Sequence, residues 1–151
     1  MKIRQEAVQI ARSWIGTPYV RSGRLKGSGV DCGTLLLCYL VEIGAASHDE
    51  NIPVFSDDWF SHATEESYKY RLMKHARKIA ETVCVGRPDA MPGDLVLFRV
   101  VGSRVYNHGA IVTVWPKGIH ALAGEGVREV NLAEHALTGH KEMAIFSPWK
   151  V

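Results

Sequence analysis

Three residues in this 151-residue chain have types and surroundings that could do chemistry together: one cysteine and two histidines. Cys32 stands in Val30-Asp31-Cys32-Gly33-Thr34, after a glycine-rich loop from Gly23 to Gly29 and before the apolar run Leu35-Leu36-Leu37-Cys38-Tyr39-Leu40-Val41. Asp31 is a favoured residue for capping the free amides of a helix start, so Cys32 is expected at a helix N-terminus. Unpaired N–H groups and the helix dipole there favour thiolate over thiol, which a cysteine nucleophile needs near neutral pH. Taken alone, Cys32 could also be a small buried packing residue. A nucleophile further requires a base, and the base a polar group that holds it. His108, which opens His108-Gly109-Ala110-Ile111-Val112, and His120, in Gly118-Ile119-His120-Ala121, are the candidates. His62 and His75 have charged neighbours, His48 is in a polar stretch, and His135 and His140 flank a late loop containing Gly139, so these five are poorer choices.

Positioning those groups requires particular elements. The segment from about 31 to 43 is apolar nearly all round and ends at Gly44, which predicts a buried central helix with Cys38 packing in its interior. His108 and His120 fall on strands, where alternate side chains share a face, so His108 lies with Ala110 and Val112. His120 joins that face only if the connecting hairpin has the right parity. A three-residue turn at Val114-Trp115-Pro116 sets Ala110 opposite His120 and His108 on the diagonal, whereas a turn centred on Pro116-Lys117-Gly118 lengthens the gap.

The rest of the chain supplies a frame. Ile3, Ala7, Ile10, Ala11 and Trp14 recur at helical spacing until Gly16 and Pro18, and residues 17 to 30 read as a loop carrying Tyr19, Arg21, Arg24 and Lys26. Ser56-Asp57-Asp58 offers a cap for a third helical region over roughly residues 57 to 83, as one helix or two. Cys84 follows in a loop with no assigned role. From Pro92 the period changes, and residues 94 to 101, 108 to 113, 118 to 123, 127 to 132 and 144 to 149 read as short strands. Helices first and strands second predict a single α+β domain over residues 1–151, its N-terminal helices packed on a largely antiparallel sheet.

Composition narrows the function. Apolar residues make up 46% of the chain, enough for one substantial core, and a formal charge of +2 gives no nucleic-acid surface. No apolar run approaches a membrane span, and the start carries no signal-peptide pattern, which predicts synthesis in the cytoplasm and no membrane insertion. Three cysteines without CxxC spacing suggest neither a disulfide framework nor a metal site, and no cofactor motif is present.

The joint pattern resembles the NlpC/P60 cysteine peptidases of the papain-like class. It is carried by Gly16-Thr17-Pro18-Tyr19, the glycine loop, Asp31-Cys32, Met91-Pro92-Gly93-Asp94-Leu95-Val96-Leu97-Phe98, Asn107-His108-Gly109-Ala110-Ile111 and Ile119-His120-Ala121. The resemblance implies a papain-like fold in which Cys32 is the nucleophile, His108 the base and His120 its orienter. Tyr19, Asp31 and Gly33 would line the substrate site. The implied reaction is hydrolysis in peptidoglycan stem peptides, at a bond between D-glutamate and a diamino acid, through an acyl-enzyme on Cys32.

Two departures from the family pattern bear on this. Gly33 and Thr34 replace the usual Ser-Gly after the cysteine, which affects the expected stem-peptide specificity. The long stretch from about 45 to 91 reads as a helical insertion at the edge of the core and resembles the phage- and prophage-encoded branch, implying phage tail proteins as partners and a virion-associated location. The alternatives are a CHAP-type amidase, a thiol acyltransferase on a related scaffold, and a non-catalytic tail-assembly protein.

Overall fold

In the computed structural model the described residues are 1–47, 69, 71–72, 74–86 and 90–149. Helix α1 (Arg4–Arg12) buries Ala7, Val8 and Ala11, while Ile3 stays outside the helix and exposed. Helix α2 (Cys32–Glu42) buries Leu35, Leu36, Tyr39 and Leu40 and stops before Gly44, whose φ of 87° is the left-handed conformation that ends helices. Both helices arise where the apolar spacing predicts them.

The stretch between them is more ordered than a loop. Two short strands, β1 (Arg24–Leu25) and β2 (Gly29–Val30), pair as a small antiparallel hairpin. Glycine is required here by close approach, since a Cβ on Gly23 would lie 2.5 Å from the Gly29 carbonyl oxygen. Strands of two residues carry too little pattern for the sequence to reveal them.

Six further strands form the main sheet: β3 (Arg77–Val83), β4 (Leu95–Phe98), β5 (His108–Val112), β6 (Lys117–Leu122), β7 (Gly126–Asn131) and β8 (Glu142–Ser147). Their order is β3-β8-β4-β5-β6-β7, and the pairs are antiparallel. β3 corrects the helical reading of residues 57 to 83. Residues 77–83 are an edge strand on β8, mostly exposed on both faces, and an edge strand of this kind shows no apolar alternation to distinguish it from a polar helix. The rest of that expected helix falls largely on residues outside those described, as does most of the 45 to 91 insertion.

The sheet is covered on both faces, so β4, β5 and β8 read as continuous apolar runs. Leu95, Leu97, Ile111, Ile119, Ala121, Ala144 and Phe146 pack with α1 and α2. On the opposite face Val96, Phe98, Ala110, Val112, Met143 and Ile145 gather with Cys84, Trp115 and Leu132. Two polar ties fix the helices to the sheet. The buried Tyr39 hydroxyl donates to the Gly93 carbonyl at 2.7 Å, and Arg4 bridges Asp94 at 2.8 Å, the Pro92 carbonyl at 2.9 Å and Ser147 Oγ at 3.2 Å. Among the described residues, no helix is long and apolar enough to cross a membrane.

Candidate active site

The tip of α2 is built by Asp31. Its Oδ1 accepts from the Gly33 and Thr34 amides at 2.9 and 2.8 Å, and its Oδ2 accepts from the Ser22 amide at 2.7 Å. Thr34 Oγ1 accepts in return from the Asp31 amide at 2.8 Å, so the residue that departs from the family pattern completes a capping box. Both Asp31 carboxylate oxygens are therefore engaged with backbone, making Asp31 the cap that holds Cys32 at the first helical position. Tyr19 lies alongside through a parallel bridge to Val30, two residues before Cys32.

The partner strands arrive by register. Ile111 pairs with Ile119 and Val112 with Gly118, which is the register set by a turn at Val114-Trp115-Pro116 and not the shifted one of the later alternative. His108 and His120 consequently meet, with His108 Nε2 2.9 Å from His120 Nδ1 and the rings 5.0 Å apart at 77°. His108 sits opposite Phe98 on the face shared with Ala110 and Val112, and the two imidazoles are 4% and 1% exposed. The Cys32 thiol donates to the Asn107 carbonyl oxygen at 3.8 Å, beside the peptide bond that leads into His108.

Burial, aided by the neighbouring imidazoles His120 and His135, pushes the His108 pKa down to about 3, and burial with His135 pushes His120 to about 4. Both rings are therefore neutral at ordinary pH, so each has one N–H and one bare nitrogen. A neutral His108 can take a proton. For its Nδ1 to do so, its Nε2 must carry the hydrogen and donate to His120.

Cys38 and Cys84 lie elsewhere. Cys38 is half-buried on α2 with its sulfur 3.9 Å from the Arg24 carbonyl, and burial raises its pKa. Cys84 is fully buried in the second core, 3.4 Å from the Leu132 carbonyl, and burial raises its pKa to about 11.

Two residues at the site have no role in the sequence reading. Asn107 clasps the loop before β5: its Oδ1 accepts from the Val100 amide at 2.9 Å and its Nδ2 donates to the Val100 carbonyl at 3.1 Å. The side chain thereby fixes the carbonyl that meets the thiol. His135, set aside as a loop residue, brings its ring within 5.0 Å of His120 at 88°. Asn107 is adjacent to His108 and in that sense visible, whereas fourteen residues, a whole strand among them, separate His135 from His120.

His108 Nε2 and His120 Nδ1 face each other at 2.9 Å, the geometry of a hydrogen bond between the rings. Among the described residues, no group of three or more His, Cys, Asp or Glu is placed to hold a metal.

A helix that begins at Cys32 thus stands against an antiparallel sheet that carries the His108–His120 pair. Comparison with solved structures makes the fold specific. The NlpC/p60 domain of the peptidoglycan hydrolase SagA matches with a TM-score of 0.59 at 21% identity, over 95% of this chain and 98% of that one. An NlpC/P60 family protein from Bacillus cereus matches with a TM-score of 0.64 at 16% identity, over 95% of this chain; the match spans 40% of the Bacillus protein's length. RipD from Mycobacterium tuberculosis, described as a non-catalytic NlpC/p60 domain protein adapted to peptidoglycan binding, matches with a TM-score of 0.50 at 15% identity, over 94% of this chain and 97% of that one. The chain has the NlpC/P60 fold. No protein-family profile matches the sequence, and no curated protein does.

Proposed function

We propose that this chain is a cysteine hydrolase of bacterial cell-wall peptides. The observation that carries the reading is the buried His108–His120 contact at 2.9 Å, on a strand whose preceding residue, Asn107, meets the Cys32 thiol through its carbonyl oxygen at 3.8 Å. In this mechanism His108 Nδ1 takes the thiol proton, and the thiolate attacks the substrate carbonyl carbon. The Cys32 amide, at the first position of α2, donates to the oxyanion with the helix dipole behind it. Collapse of the tetrahedral intermediate breaks the C–N bond, the proton passes from His108 to the leaving amine, and water then hydrolyses the acyl-enzyme. His120 orients His108 by accepting from its Nε2–H. Tyr19 and Gly33 line the substrate side, and Asp31 acts through the cap.

The substrate within this reading is a stem peptide with a D-glutamyl-diamino-acid bond. It rests on the sequence resemblance and on fold similarity to SagA, a peptidoglycan hydrolase. A phage or prophage setting, with tail proteins as partners, rests on the length of residues 45 to 91 alone. The test is a digest of purified bacterial cell wall read by mass spectrometry, with Cys32→Ala as control and a lipid ester as competing substrate. New D-glutamyl termini that depend on Cys32 are expected. Equal products from wild type and Cys32→Ala sink the hydrolase reading, and turnover of the ester alone moves the protein to the acyltransferases. The similarity to non-catalytic RipD favours a second reading, wall binding without cleavage. Sedimentation with cell-wall sacculi and no released peptide would select it.

A further inference from the structure

His120 presents a buried polar atom that the two-histidine contact leaves unused. The side chain is 1% exposed, and among the described residues its Nε2 meets no hydrogen-bond partner. If His108 donates to His120 Nδ1, that Nε2 carries a hydrogen, and a buried unpaired N–H is costly. The neighbour on hand is the ring of His135, perpendicular to that of His120 with centroids 5.0 Å apart. His135 has no lone pair to offer in its neutral form, because its Nδ1 already accepts from the Leu137 amide at 3.1 Å and its hydrogen is then on Nε2. What remains is the π face, a weak acceptor for N–H groups.

The turn that carries His135 is held tightly. Asn131 Oδ1 accepts from the Ala133 and Glu134 amides, the His135 amide donates to the Asn131 carbonyl at 2.9 Å, and Gly139 closes onto the His135 carbonyl at 2.8 Å. A Cβ on Gly139 would lie 2.6 Å from the Ala133 carbonyl oxygen, so the turn admits only glycine there. The Leu132 amide donates to the Pro116 carbonyl at 2.8 Å, tying the turn to the hairpin that brings His120 to His108.

We propose that His135 is a positioning residue: its ring face receives the buried Nε2–H of His120 and locks His120 in the tautomer that accepts from His108. The inference rests on the hydrolase reading, in which His108 must keep Nδ1 bare toward the thiol. The experiment is long-range proton–nitrogen correlation spectroscopy of the histidine-labelled protein, with kinetics on the stem peptide. His135→Phe keeps an aromatic face and removes both ring nitrogens, whereas His135→Leu fills the space without a π face. Wild type and His135→Phe are expected to show His120 with its hydrogen on Nε2 alone, and His135→Leu a mixture of tautomers. The kcat is expected to fall about tenfold in His135→Leu with KM unchanged, and to stay within about twofold in His135→Phe. Should His135→Leu fail to fold by circular dichroism, His135→Met takes its place. A wild-type His120 protonated on Nδ1, or one tautomer unchanged in the aliphatic variant, overturns the proposal. The spectra need no turnover, so they decide it even if the wild type cleaves nothing, an outcome that counts against the hydrolase reading alone.

Discussion

Cys32 differs from the other two cysteines in standing at the first position of a helix, whose free amides and dipole favour a thiolate. Cys38 and Cys84 are held as thiols by burial, the latter with a pKa of about 11. Iodoacetamide near pH 7, some one to two units below an ordinary thiol pKa, is therefore expected to modify Cys32 first, and peptide mapping checks the order. Equal slow labelling of every thiol would falsify the activated-nucleophile reading. The two histidines should separate in the same way. His108→Asn removes the group proposed to take and return the proton and is expected to lose about 10²- to 10⁴-fold in peptide hydrolysis. His120→Asn keeps an acceptor for the His108 N–H and should retain measurable rate. The types and spacing of Cys32, His108 and His120 were legible in the sequence because each sits in a short motif. His135 was not, because only the fold of the turn after β7 carries it back to His120.

Among the elements, α2 depends most on its first residues. Asp31 binds three backbone amides from one side chain, two at the helix start and that of Ser22 in the preceding loop. Asp31→Ala is expected to cost about 1–2 kcal/mol in chemical denaturation, and to slow Cys32 alkylation as the helix tip loosens. A variant as stable and as reactive as wild type would remove Asp31 from that role. The far side of α2 is held by Tyr39, whose hydroxyl bonds Gly93 in the turn before β4, and Tyr39→Phe should cost about 1 kcal/mol. Apolar periodicity and an Asp cap made both helices readable before any coordinates. β3 escaped because its residues are mostly exposed, so neither a period of two nor one of 3.6 stands out, and only pairing with β8 makes it a strand.

For the whole molecule, the ion pair of Arg4 with the fully buried Asp94 links the N-terminal helix to the sheet. Arg4→Ala leaves that carboxylate without its cation and is expected to destabilise the fold by about 3 kcal/mol, read as a shift in denaturation midpoint. The histidine pair sets a pH window of its own. Folded, His108 and His120 have pKa values of about 3 and about 4, against about 6.5 in the unfolded chain. The unfolded state binds more protons between those values, so stability is full above about pH 6.5 and falls as pH drops toward the folded values. Denaturation midpoints from pH 7 to 4 should show this slope, and His120→Asn should flatten it; an identical slope in the variant would refute the assignment. By itself, the sequence determined the two helices, the Asp31 cap and the motif residues, because these depend on contacts within a few positions along the chain. The tertiary structure alone decided the edge strand, the hairpin register and the third imidazole. Each depends on pairing between segments far apart in sequence, where a shift of one residue turns a side chain to the opposite face.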